Sequence, residues 1–249
     1  MPAKTGREFC RFENMIAFPD KVTDEDLRLF ESQINSTGNK QFILSQYRMK
    51  VDHDPVDLGI AKIMSRMHDI EVEAVQQMAD RNMLRNDQML VIDGPLRFRK
   101  KFDLHQFRNV IGLSKSFRPS FTMGKGRNKV DVGSITSKLN FKERTSVFKT
   151  NEEEKTIGIW YLRIRPTKYM SNPLQGIVKI EGYAVDPEDR ENGFDADRID
   201  LLSAHIIRER NVTPYKADSR WAAHIYPVYM AESYLKSSFL SDVQFKGLF

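Results

Sequence analysis

The stretch from Met89 to Ser116 limits the possible folds of this chain more than any other. Leu90-Val91-Ile92 is a short apolar run, rich in β-branched residues, that closes on Asp93-Gly94-Pro95. Runs of this length and ending read as a buried strand. Asp93 then stands at the strand exit, where a rigid sheet can aim a carboxylate into a cleft. A second run, Asn109-Val110-Ile111-Gly112-Leu113, ends in Ser114-Lys115-Ser116. Two neighbouring strands would therefore present an acid and a cation at their ends, the beginning of a metal-dependent phosphodiesterase site. Asp-Gly is also a common turn signal, and a hairpin turn would need nothing more from Asp93.

Upstream, Pro55 opens a long helix expected to run to about Arg85. Within it Ile60, Ile63, Met64, Met67, Ala74, Val75 and Met78 recur at spacings of three and four and form one apolar stripe. Glu71 falls in the middle of that stripe, whereas Glu73, Asp69 and Asp80 fall opposite and are expected in solvent. An unpaired charge is costly to bury, so a carboxylate at the position of Glu71 calls for a metal ion, a buried Arg or a hydrogen bond to a neighbouring strand.

The remaining elements follow from similar signals. Thr23-Asp24-Glu25-Asp26 starts a helix, with acids in its first turn. Phe42–Val51, 89–93, 109–113, Thr156–Arg165 and Gln175–Val185 read as strands, the last two as a pair. Ser134–Phe141, Asp195–Arg210 and Tyr226–Ser238 read as helices, and 118–138 as a basic, exposed loop. Neighbouring strands that do not alternate with helices predict an α/β fold with a mixed sheet flanked by helices. No linker is long enough to separate domains, so a single domain over 1–249 is expected.

Composition narrows the function. The chain has 249 residues, of which 39 are Lys or Arg and 34 are Asp or Glu, for a formal net charge of +5. This balance favours a polyanionic partner, nucleic acid first. Arg97, Arg99, Lys100, Lys101, Arg118, Lys125, Arg127 and Lys129 could track a phosphate backbone without sequence preference, or form only a solvated face. The single cysteine, Cys10, excludes an intrachain disulfide and a Cys-based metal site. That usage, with no apolar leader and no long apolar run, predicts a cytoplasmic protein without a membrane span. The five histidines form no zinc-protease pair, and there is no Gly-x-Ser-x-Gly elbow or Walker A loop.

The ordered set resembles the NurA nuclease family. The carriers are a helix acid (Glu71), a strand ending Val91-Ile92-Asp93-Gly94-Pro95-Leu96, a Gly112-Leu113-Ser114-Lys115 segment, and Tyr226-Pro227 followed by Ala231-Glu232. The resemblance spans roughly residues 60–240. It implies an RNase H-like fold and a DNA end-processing nuclease dependent on Mn²⁺ (or Mg²⁺). It also implies a homodimer that works with a HerA-type hexameric ATPase. In that reading Glu71, Asp93 and Glu232 hold metal, with Asp242 an alternative to Glu232, and Lys115 neutralises the scissile phosphate.

Two departures qualify the resemblance. The family's first acidic motif, Asp-Gly-Ser on an N-terminal strand, has no counterpart here, and Asp52 and Asp54 flank Pro55 without the glycine. Residues 1–50 are therefore expected to be divergent or incomplete. Glu232 stands where many members have His, and a carboxylate serves a hard cation as well. Glu232 could instead pair with Lys236 one helical turn away. The alternative function is a catalytically degenerate, nuclease-like subunit that binds DNA or docks on an ATPase.

Overall fold

The computed structural model describes residues 13–36, 42–85, 88–96, 98, 100–117, 122–124, 126, 129–152, 155–170, 172–210 and 225–238. The chain forms two compact units. The first takes the residues up to Asn82 together with 97–102, and the second takes 83–96 and the residues from Asp103 onward.

In the first unit, β1 (Asn14–Pro19), α1 (Asp24–Ser36), β2 (Phe42–Tyr47) and α2 (Pro55–Asp80) follow in order. The two strands pair in parallel, Asn14 opposite Phe42 and Pro19 opposite Tyr47. Parallel neighbours need a crossover, and α1 supplies it. Thr23 starts α1: its Oγ1 accepts the Asp26 N–H at 3.2 Å and donates to Asp26 Oδ2 at 2.5 Å. Asp54, one of the carboxylates considered for the missing acidic motif, caps α2 by accepting the Val56 N–H at 2.6 Å. The helix ends at Asp80, short of the expected Arg85, and Asn82 follows in the left-handed region at φ 55°.

Two expectations for α2 are corrected. The N-terminal half of the apolar stripe is not buried: Ile60, Ile63, Met64 and Met67 are 50%, 38%, 51% and 54% exposed, whereas Val75 at the stripe's edge and Val72 beside it are 1% and 0% exposed. The buried face lies roughly a quarter-turn around the helix from the stripe. His68 lies on that buried face and meets the Phe98 ring edge-on at 6.1 Å, so Phe98 covers the helix there. Glu73 is not solvated. It pairs with Arg66 at 3.1 Å and Lys100 at 2.8 Å, while Arg66 also grips Glu13 at 2.7 Å. The Glu13 carboxylate, followed by Glu73, holds the Arg66 guanidinium above its ordinary range.

In the second unit, β3 (Leu90–Asp93) and β4 (Val110–Ser114) lead to a small hairpin of β5 (Thr122–Met123) and β6 (Val130–Asp131). Then come α3 (Val132–Thr136), β7 (Phe148–Glu152), β8 (Lys155–Arg163) and β9 (Ile177–Tyr183), followed by α4 (Pro187–Glu191), α5 (Ala196–Arg208) and α6 (Tyr226–Ser238). The five-stranded sheet runs β3-β4-β9-β8-β7. Only β3 and β4 are parallel; the other neighbours are antiparallel. The fold is therefore mixed α/β, with helices against a mixed sheet. Asp93-Gly94 is no hairpin turn, because β3 and β4 run in the same direction. The helix expected over 134–141 is shorter and earlier, since Asp131 accepts the Gly133 and Ser134 N–H groups and starts α3 at Val132.

Side-chain alternation divides the sheet into two buried faces. On one, Ile111, Leu113, Trp160, Leu162, Val178 and Ile180 pack in one cluster with Ile199, Ile206 and Ile207 of α5 and Val228 of α6. The other carries Tyr161, Arg163, Glu181 and Tyr183, all buried. The Arg163 guanidinium donates to the carbonyls of Leu139 at 2.5 Å, Gln175 at 3.0 Å and Pro173, tying the segment after α3 to the β8–β9 loop. No helix among the described residues is long and apolar enough to cross a membrane.

Candidate functional site

Asp93 and Lys115 reach the same place because of strand register. Asp93 is paired with Leu113 across β3 and β4, so Asp93, Leu113 and Lys115 fall on one face of the sheet. The chain then leaves β3 sharply. Gly94 N–H donates to Leu113 O at 3.0 Å, one step beyond the strand, and its φ of 142° is a conformation that favours glycine. Residues 94–96 pass directly over Gly112. A Cβ on Gly112 would sit 2.6 Å from Gly94 O and 2.9 Å from Leu96 Cγ. The glycine of the Gly112-x-x-Lys115 segment thus serves close approach, and the lysine serves charge.

The third member arrives from the C-terminal helix. Ile225 and Val228 bury the start of α6 in the core, and Glu232 lies one turn past Val228 on the same side. Lys115 Nζ is 3.0 Å from Asp93 Oδ2 and also forms a close, hydrogen-bonded ion pair with Glu232 Oε1. The side chains are 12% (Lys115), 29% (Glu232) and 41% (Asp93) exposed, so the ammonium is the most enclosed of the three. Two carboxylates and one ammonium leave a net negative charge. Burial pushes the Asp93 carboxyl above its ordinary range; Lys115 pulls it down and Glu232 pushes it up again.

A cavity of about 940 Å³ borders both carboxylates. Its walls are largely apolar, from Met89, Val91, Trp160, Phe194 and Leu202, and Arg108 and Arg198 stand on its rim. Both arginines are engaged: Arg108 grips Asp186 at 2.6 Å and 2.9 Å, and Arg198 is 3.3 Å from Asp189.

Of the residues expected at the site, Asp93, Lys115 and Glu232 are brought together. Glu71 belongs to the first unit, where it is half-buried. Of the expected DNA contacts, Lys100 is held by Glu73 and Lys101 is exposed. Arg97, Arg99, Arg118, Lys125 and Arg127 lie outside the described residues, as do Asp242 and the Lys236 side chain.

Sequence reasoning missed Glu181 on β9. Its side chain is 2% exposed, it accepts the Leu96 N–H at 2.7 Å through Oε2, and Lys179 neutralises its Oε1. The available signal was a carboxylate inside the strand Ile177-Val178-Lys179-Ile180-Glu181-Gly182-Tyr183, where a satisfied charge implies a designed partner.

Among the described residues, no group of three or more His, Cys, Asp or Glu side chains is placed to hold a metal ion. The pair present, Asp93 and Glu232, suits a cation such as Mg²⁺ or Mn²⁺, which is held by one or two carboxylates and completes its shell with water and substrate oxygens. The chain matches no family model, and no curated protein sequence matches it.

Proposed function

We propose that the second unit is the catalytic part of a metal-dependent nuclease of NurA type, its mixed sheet and flanking helices RNase H-like. The observation that carries this reading is the convergence of Asp93, Lys115 and Glu232 from three distant segments. Asp93 and Glu232 would hold the divalent cation. Once displaced from the carboxylates, Lys115 is free to neutralise a phosphate oxygen of the substrate. A cation held by Asp93 and Glu232 would supply Lewis-acid stabilisation of charge on the phosphate and would lower the pKa of water. The formal net charge of +5 favours a DNA substrate held through its backbone. The proposal includes a homodimer, a HerA-type ATPase partner and a cytoplasmic setting; co-purification with such an ATPase and a mass measurement in solution test the first two.

The decisive experiment is cleavage of linear and circular DNA with Mn²⁺, Mg²⁺ or EDTA. Asp93→Asn keeps shape and loses charge. It is expected to stay folded and to lose at least about 100-fold in Mn²⁺-stimulated rate, about 2.7 kcal/mol of barrier. Wild-type rates in a folded Asp93→Asn protein would remove Asp93 from catalysis.

One observation favours a second reading. Lys115 already satisfies both carboxylates, so the cluster can also serve as a structural ion triad in a nuclease-like subunit that binds DNA without cutting it. DNA binding with no metal-stimulated cleavage would select that reading.

A further inference from the structure

Glu181 and Tyr183 lie on the opposite face of the sheet from Asp93, yet both hold the segment that follows it. After Asp93 the chain crosses from one face of the sheet to the other within three residues, and Leu96 ends that crossing fully buried. Both backbone polar groups of Leu96 are taken. Its N–H donates to Glu181 Oε2 at 2.7 Å, and its carbonyl accepts the Tyr183 hydroxyl at 2.7 Å. Glu181 and Tyr183 are two apart on β9 and share a face. The Tyr183 ring is fixed in turn by an edge-on contact with Phe107 at 5.7 Å.

A buried Lys-Glu pair is weak evidence for stability, since an apolar pair of similar volume often does as well. The pair of Lys179 and Glu181 instead supplies a charged acceptor at the one backbone N–H that ends the turn after Asp93. Gly112 beneath leaves the turn no slack on its other side.

We infer that Glu181 and Tyr183 are positioning residues for Asp93, which they hold toward Lys115 and Glu232 by clamping both backbone groups of Leu96. The inference rests on the proposed cation-binding role of Asp93. Loss of the clamp lets residues 94–96 shift and swings the Asp93 carboxylate away from Glu232. The effect falls on cation affinity more than on global stability.

The test compares two double variants that both remove the buried charge pair. Lys179→Met/Glu181→Gln keeps an oxygen acceptor for the Leu96 N–H, and Lys179→Met/Glu181→Leu removes it at similar volume. Tyr183→Phe is the third variant, removing one hydroxyl and keeping the ring. Mn²⁺ affinity is measured by calorimetry on folded protein, beside amide exchange at residues 94–96 and a thermal melt.

Expected are faster exchange at 94–96 and about tenfold weaker Mn²⁺ binding for Tyr183→Phe and for the Leu variant, with the Gln variant close to wild type. Equal Mn²⁺ affinity in the Gln and Leu variants, together with unchanged affinity in Tyr183→Phe, would reduce the clamp to a structural tie and overturn the inference alone. A wild-type protein that binds no Mn²⁺ would overturn the metal-site reading and the inference with it.

Discussion

Tyr161 shows what the buried charge of Glu181 does to a neighbouring residue. The phenol is 2% exposed. Burial first, and the Glu181 carboxylate second, push its pKa from the usual 10.0 up to about 12. The unfolded chain releases the phenolic proton near the ordinary value, while the folded protein still holds it. The contribution to stability is therefore complete below pH 10 and is lost as pH rises towards about 12. Tyr161→Phe should flatten that part of the curve. In thermal melts between neutral pH and strong alkali, the wild type is expected to lose stability above pH 10 more steeply than the variant. Equal slopes would mean that Tyr161 ionises alike in both states.

Among the elements, the parallel pair of β3 and β4 decides where the chemistry sits. The register that opposes Asp93 to Leu113 depends on residues 94–96 lying flat over Gly112. Gly112→Ala would drive a methyl group to 2.6 Å from the Gly94 carbonyl oxygen, which is backbone and cannot swing aside. Overpacking of this kind costs about 1–3 kcal/mol, and denaturant unfolding should show it. A loss below about 0.5 kcal/mol would mean that the crossing can lift without penalty.

Legibility varied from element to element for physical reasons. Strands β3, β4, β8 and β9 were visible because short runs rich in apolar and β-branched residues fill most of each. Strand β7, Phe148-Lys149-Thr150-Asn151-Glu152, was missed because a polar edge strand has no alternation to read. The periodicity of α2 was real, yet burial follows Val72, Val75 and the returning Phe98, which no helical wheel contains. Asp93 and Lys115 could be found because each ends an apolar strand, and Glu232 only through the resemblance carried by Tyr226-Pro227 and Ala231-Glu232. Glu181 lies inside a strand and not at its end, so only the cost of a carboxylate in a buried strand marks it.

For the whole molecule, the proposed DNA partner would meet an excess of basic residues, but individual cations are not equivalent. Lys100 is engaged by Glu73 at 2.8 Å, whereas Lys101 is exposed. If both lie on the DNA-binding surface, Lys101→Ala should reduce the slope of log affinity against log salt by about one. Lys100→Ala should change it less, because part of its charge is already answered within the protein. Equal slopes for both variants and the wild type would place this run away from the DNA.

The path of the chain has one more consequence. In sequence, residues 97–102 of the first unit interrupt the residues of the second. No single cut of the backbone can therefore release either unit whole. Shortening the gene from its 5′ end as far as Met83 would leave Phe98 without His68, its ring partner on α2. Stopping at Asn82 would take Lys100 from Glu73. A truncation at either boundary therefore removes part of the unit it is meant to keep.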